Sequence, residues 1–314
     1  MGHIYRKIVI TSLLLGYIFC LSVTGEEVMN LAERSAGGEE GTVAELDITR
    51  DGMTSLELEK LAEFLPPGQG AYLQGGSVMS TGLLMAFLPG ESAEGNPLLR
   101  LDTENWQPIH SLTQELSHAN DLCYVPEAGE VFVLPMDASQ IIVLDEATLD
   151  VKRTIDTPQI YHAIGYDESR DLFAAIYTSG KGKEKRLTCD ILDNTCTKVQ
   201  NSFSVDTNLV YQGMAVYDSR VYYSCWKREE GVADHKTPYD DLLQPNDNVI
   251  YVYDYDGNLT DALLIRMPVG YNTFELEAVS FLGNRMILMF NENLADENNT
   301  LMIGVYQNKT DLKW

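Results

Sequence analysis

One short phrase recurs five times along the chain: a polar and small-residue cluster, an apolar strand, a turn, and a second apolar strand. The copies begin at Tyr72-Leu-Gln-Gly-Gly-Ser-Val-Met79, His118-Ala-Asn-Asp-Leu-Cys-Tyr124, Tyr161-His-Ala-Ile-Gly-Tyr166, Tyr211-Gln-Gly-Met-Ala-Val-Tyr217 and Glu275-Leu-Glu-Ala-Val-Ser-Phe281. Aligned on Gln74, Ala119, Tyr161, Gln212 and Leu276, they are spaced 45, 42, 51 and 64 residues apart. Leaving out the 22-residue polar insert Lys227–Asn248 brings the last interval to 42. A period of about 40–45 residues, with four short strands per unit, marks the blades of a β-propeller. The sequence therefore reads as all-β: a five-bladed β-propeller over residues 72–314, with turn chemistry at Asp218-Ser219, Asp256-Gly257 and Gly283-Asn284. The fifth unit is one outer strand short. Either the last residues, Asn308–Trp314, or the segment before Tyr72 must close the ring, and the N-terminal segment is the favoured source.

Two regions precede the repeats. Arg6 and Lys7 followed by a sixteen-residue apolar run, Ile8–Val23, and small residues at Val23-Thr24-Gly25 form the pattern of a cleaved export signal over residues 1–25. The run falls short of the ~20 residues a membrane span needs, and bulky residues before Cys20 argue against lipid attachment. Residues 26–71 read as an acidic linker followed by a short helix over Asp51–Phe64, with Thr54 or Ser55 as cap and Leu56, Leu58, Leu61 and Leu65 on its apolar side. The Asp47–Thr54 stretch begins like a calcium loop, but Leu58 stands where the bidentate carboxylate would be required. The expected protein is thus secreted, with no membrane association after signal cleavage.

Beyond the signal, 20 Lys+Arg face 47 Asp+Glu. Such a field repels phosphate backbones and anionic lipid surfaces, so nucleic acid is excluded as a partner, while a neutral glycan, a protein or a cation is compatible. Four cysteines follow the signal: Cys123, Cys189, Cys196 and Cys225. An oxidising compartment allows a Cys189–Cys196 bridge across a hairpin as readily as two free thiols. No ligand spacing for zinc is present, and the expected cofactor is none, with a channel-bound cation as the exception.

In a propeller the residues at the start of each innermost strand converge on one mouth of the central channel. Here they are Gln74, His118, Asn120, Asp121, His162, Gln212, Glu275 and Glu277, the best ligand-binding candidates in the chain. Three readings stay open. The ring binds a ligand; or it hydrolyses or eliminates, with Asp121, Glu275 and Glu277 as acid and base and His118 and His162 moving protons; or its polar groups only satisfy one another and fix the blades. The insert, carrying His235, Tyr239, Asp240 and Asp241 with Trp226 at its root, either arches over the mouth or is a surface excursion.

The phrases His118–Tyr124 with Gly129–Val133, Gln74–Gly76, Gln212–Met214 and Glu275–Glu277 resemble those of secreted bacterial β-propellers in the broad quinoprotein-like and surface-layer-type superfamily. That resemblance covers residues 72 to about 307 and implies an extracellular propeller. It implies no particular ligand, and a binding or interaction module is the leading expectation.

Overall fold

The computed structural model describes residues 48–49, 52–64, 66–67, 71–89, 95–180, 185–229, 235–266, 274–292 and 300–306. The expected signal and acidic linker, residues 1–47, and the terminal stub Asn308–Trp314 lie outside them. Two short pieces come first, β1 (Ile48–Thr49) and β2 (Met53–Phe64). The first repeat unit is β3 (Tyr72–Met79), β4 (Gly82–Leu88), β5 (Asn96–Leu101) and β6 (Pro108–Gln114). The second is β7 (Ala119–Val125), β8 (Glu130–Pro135), β9 (Gln140–Asp145) and β10 (Val151–Asp156). The third is β11 (Tyr161–Asp167), β12 (Leu172–Ser179), β13 (Arg186–Leu192) and β14 (Val199–Ser204). The fourth is β15 (Val210–Tyr217), β16 (Arg220–Trp226), β17 (Asn248–Asp254) and β18 (Leu259–Arg266). The last three strands are β19 (Phe274–Leu282), β20 (Arg285–Glu292) and β21 (Thr300–Tyr306).

Each unit is an antiparallel meander, and the arrangement is that of a β-propeller. Three units form separate four-stranded sheets, whereas the fourth unit and the final strands are joined in one nine-stranded sheet, β15-β16-β17-β18-β2-β21-β20-β19, with β1 on β2. The joining strand is β2. It pairs antiparallel with β21, Leu58 opposite Tyr306 and Phe64 opposite Leu301, and parallel with β18, Thr54 opposite Leu263 and Glu57 opposite Arg266.

The N-terminal segment therefore supplies the missing outer strand, and the helix expected over Asp51–Phe64 does not form. Its Leu, Glu, Lys and Ala residues favour a helix locally. Two open strand edges, on β18 and β21, outweigh that preference, because an unpaired edge leaves a row of backbone donors and acceptors unmet. The same residues find partners on β18 and its neighbours: Leu56 is buried with Tyr222, Ile250, Leu263 and Leu276, while the Thr54 hydroxyl donates to Asp261 and the Ser55 hydroxyl accepts from the Arg266 guanidinium.

Apolar side chains fill the wedges between neighbouring units in cyclic order. Leu84 and Leu98 meet Leu122, Val131 and Val133; Phe132 and Val143 meet Ile164 and Phe173; Ile176 and Cys189 meet Tyr223 and Tyr251; Tyr222 and Ile250 meet Val279 and Leu288; Ile287 and Met289 meet Leu73 and Met85. Strands buried on both faces explain the near-continuous apolar runs at Leu83–Phe87 and Val249–Tyr253. The turns between third and fourth strands share one device: Asp102, Asp145, Asp193 and Asp254 each accept backbone N–H groups of the turn that follows, as in Glu104 N–H to Asp102 Oδ1 at 2.7 Å.

The Cys189–Cys196 bridge is absent and both are free buried thiols. Cys189 packs against the fourth unit with Tyr223, whereas Cys196 packs against the second with Phe132, so the two side chains lie in wedges on opposite sides of the sheet.

Candidate functional site at the channel mouth

Every inner strand carries a register slip at the same place. One extra residue lies opposite the partner strand between Leu73 and Gly75, Ala119 and Asp121, Tyr161 and Ala163, Tyr211 and Met214, and Leu276 and Ala278. The inserted residues are Gln74, Asn120, His162, Gln212 with Gly213, and Glu277. A bulge turns a side chain out of the strict alternation of a strand, and here it does so five times in register. Those five positions are among the candidates singled out from the sequence, with Asp121 one residue away and His118 and Glu275 two.

The bulged residues bridge neighbouring strands around the ring. His118 Nε2 donates to Gln74 Oε1 at 2.7 Å, and Asn120 Nδ2 donates to the His162 carbonyl at 2.5 Å. The His162 ring stacks on Tyr211, centroids 4.5 Å apart, and the Gln212 amide donates to Glu275. Glu277 accepts from Asn291 Nδ2 at 2.7 Å, while Asn291 also exchanges two hydrogen bonds with the backbone of Leu73, at 3.0 and 3.1 Å.

Asp121 is the hub. It is 1% exposed, and its oxygens accept the N–H groups of Leu122 (2.9 Å), Ile164 (2.9 Å) and Met214 (3.1 Å), so one carboxyl ties three inner strands together. Close approach at the hub depends on glycine. A Cβ on Gly75 would lie 2.8 Å from the Asp121 Cα, and one on Gly213 would lie 2.7 Å from the Glu277 carbonyl oxygen.

Burial pushes the Asp121 carboxyl up to about 8 against the pull of those three donors. Glu277, 2% exposed, is raised well above the usual carboxylate range by burial and then by the nearby Glu275. Glu275 is half-buried and also raised by burial, with the Trp226 indole, the Arg228 charge and Gln212 pulling the other way. Burial lowers His162 to about 4, aided by Lys185, and lowers His118 against the pull of Asp137. Both imidazoles are therefore neutral near pH 7. His162 Nε2 is buried and finds no hydrogen-bond partner among the described residues.

All eight expected residues thus sit on one ring, but in two environments. Asp121 and Glu277 are enclosed and committed to strand contacts. Gln74, His118, Asn120, Gln212 and Glu275 are partly open, and His162 keeps one ring nitrogen uncommitted. Tyr211, Trp226 and Asn291 complete the ring and were not singled out beforehand as ring members. The available signal was their place: Tyr211 precedes Gln212, Trp226 ends the strand that faces it, and Asn291 ends the apolar run of β20. No group of three or more metal-ligating side chains occurs among the described residues.

The insert does not arch freely. Asp240 within it is fully buried, accepting from Thr207 Oγ1 and Tyr251 at 2.9 and 2.6 Å and from the Asn208 N–H at 2.6 Å. Leu243 joins the wedge between the third and fourth units.

Two solved structures share this architecture. The glutaminyl cyclase of Myxococcus xanthus superposes with a TM-score of 0.54 at 10% identity, over 81% of this chain and 98% of that one. A tail fibre of Staphylococcus aureus phage P68 gives 0.53 at 16% identity, over 81% of this chain and 53% of that one, so the match spans about half of the fibre chain. At such identities the likeness shows a common β-propeller fold. No family model and no curated protein matches the sequence.

Proposed function

We propose that the chain is an exported five-bladed β-propeller, of the quinoprotein-like or surface-layer type, that binds a glycan or protein ligand at the mouth where its inner strands begin. The count of five rests on the cyclic packing of β3, β7, β11, β15 and β19, with β2 as the outer strand of the last blade. The binding reading rests on one observation above all: five bulges in register deliver Gln74, Asn120, His162, Gln212 and Glu277 to one ring, and the buried His162 Nε2 there has no partner. An unmet buried polar group costs about 1–3 kcal/mol, which a ligand hydroxyl, able to donate or accept, would recover.

The test is a melting-temperature screen of the purified protein against neutral oligosaccharides and extracellular proteins. A ligand at 100 times its Kd adds about 2.7 kcal/mol of stability. The shift should vanish in His162→Phe, which keeps the stack on Tyr211 but lacks the ring nitrogen. A screen without any shift, or a shift untouched by His162→Phe, overturns the proposal.

A second reading, hydrolysis or elimination, is favoured by Glu275. It is the ring carboxylate that is both raised by burial and half open, with the neutral His118 and His162 on the same ring. Asp121 and Glu277 then serve the ring's shape, since both are enclosed. Because a glutaminyl cyclase shares the fold, peptides with N-terminal glutamine belong in the substrate panel beside glycosides. Turnover lost at least 100-fold in Glu275→Gln would establish this reading, and no turnover across the panel would remove it.

A further inference from the structure

We propose that the opposite end of the channel is a separate binding site for a small organic ammonium ion. The inner strands finish around a cavity of about 830 Å³, within the range of about 300–1,000 Å³ usual for small-molecule sites. All five contribute to its wall, through Ser77–Ser80, Leu122–Tyr124, Gly165–Asp167, Met214–Tyr217 and Val279–Phe281. Leu122 and Met214 are also the residues whose N–H groups Asp121 accepts, so the hub carboxyl stands at the inner end of the cavity, between it and the bulged ring. This site is therefore distinct from the mouth discussed above and does not depend on it.

The chemistry of the wall selects the ligand. Tyr124, Tyr166, Tyr217 and Phe281 line it, with Tyr217 and Phe281 stacked at 4.4 Å and 13°. The Tyr124 hydroxyl donates to Glu146 at 2.7 Å and that of Tyr166 to Asp171 at 2.9 Å. A phenol bound to a carboxylate gains electron density on its ring, and such a face attracts a cation. The carboxylic acids of the wall are Glu127, Asp167, Glu168 and Asp218, and no Lys, Arg or His lines it. Arg170, Arg220 and Arg285 lie close to wall residues in the sequence but none of them lines the cavity, and Arg170 stands over the Tyr255 ring at 5.0 Å. Val78, Val216 and Val279 give the wall apolar surface. Aromatic faces, acidic wall residues and an apolar lining together fit an alkylated ammonium group.

Choline and its neutral isostere 3,3-dimethylbutan-1-ol, titrated calorimetrically into the full chain, test the charge requirement. Choline should saturate one site, and the isostere should bind at least tenfold more weakly. Tyr217→Ala should weaken choline about tenfold, as expected for one cation–π partner, and Tyr217→Phe should restore it. His162→Phe should leave choline affinity unchanged whatever it does at the other mouth. The proposal is overturned if choline shows no saturable binding, if the isostere binds as well, if Tyr217→Ala has no effect, or if His162→Phe and Tyr217→Ala weaken it equally.

Discussion

Asp121 shows how one residue sets both the shape and the pH response of the ring. Its folded carboxyl stands at about 8, above the ordinary value of 3.8, so the folded state holds a proton that the unfolded chain has released between those limits. Stability contributed in this way is complete below about pH 4 and is lost as pH rises through 8. His162 acts in the opposite sense: lowered from 6.5 to about 4, it makes the fold lose stability as pH falls across that window. The two effects oppose each other below 6.5, leaving Asp121 unopposed by His162 above it. Urea unfolding measured from pH 6.5 to 8 should therefore show stability falling by up to about 1.4 kcal/mol per pH unit, and Asp121→Asn should flatten that slope. The same substitution places an amide donor against one of three backbone N–H groups, so it should also cost about 1–3 kcal/mol at pH 6. A slope unchanged in the variant would remove Asp121 as its source.

Strand β2 holds the corresponding place among the elements. Leu56 is 2% exposed in the wedge between the fourth unit and β19–β20, and Leu56→Ala should destabilise by about 2–5 kcal/mol in chemical denaturation. Elements differed in how well they could be read beforehand. The repeat at Gln74, Ala119, Tyr161, Gln212 and Leu276 located the inner strands, and the polar residues beside those anchors proved to be the bulged ones, because the chemistry that re-aims a side chain lies within the repeated phrase itself. Met53–Phe64 was misread because its local preference is helical and its strand partners, β18 and β21, lie some 200 or more residues away. The Cys189–Cys196 pairing failed for a related reason: proximity in a hairpin does not tell which wedge each side chain enters. The cavity at the far end went unnoticed because Ser77–Ser80, Tyr166–Ser169 and Tyr217-Asp218 look like ordinary strand ends until a ring gathers them.

For the whole molecule the acidic excess, a formal charge of −25, acts on the compact state as self-repulsion. Salt screens it, with a Debye length of about 30 Å at 0.01 M and 8 Å at 0.15 M, so melting temperature should rise between those ionic strengths before any specific ligand is added. A flat response would mean the acidic groups are already balanced locally, as the turn aspartates are by their backbone donors. The closure through β2 has one more consequence. Leu58 and its partner Tyr306 lie 248 residues apart in the chain, so β2 has no β21 to pair with until the whole segment between them has been made. Assembly is thereby tied to the slowest class of chain encounters, those between segments far apart in sequence. Until β21 exists the sheet stays open between β2 and β20, and its arrival locks both neighbours in a single closing step.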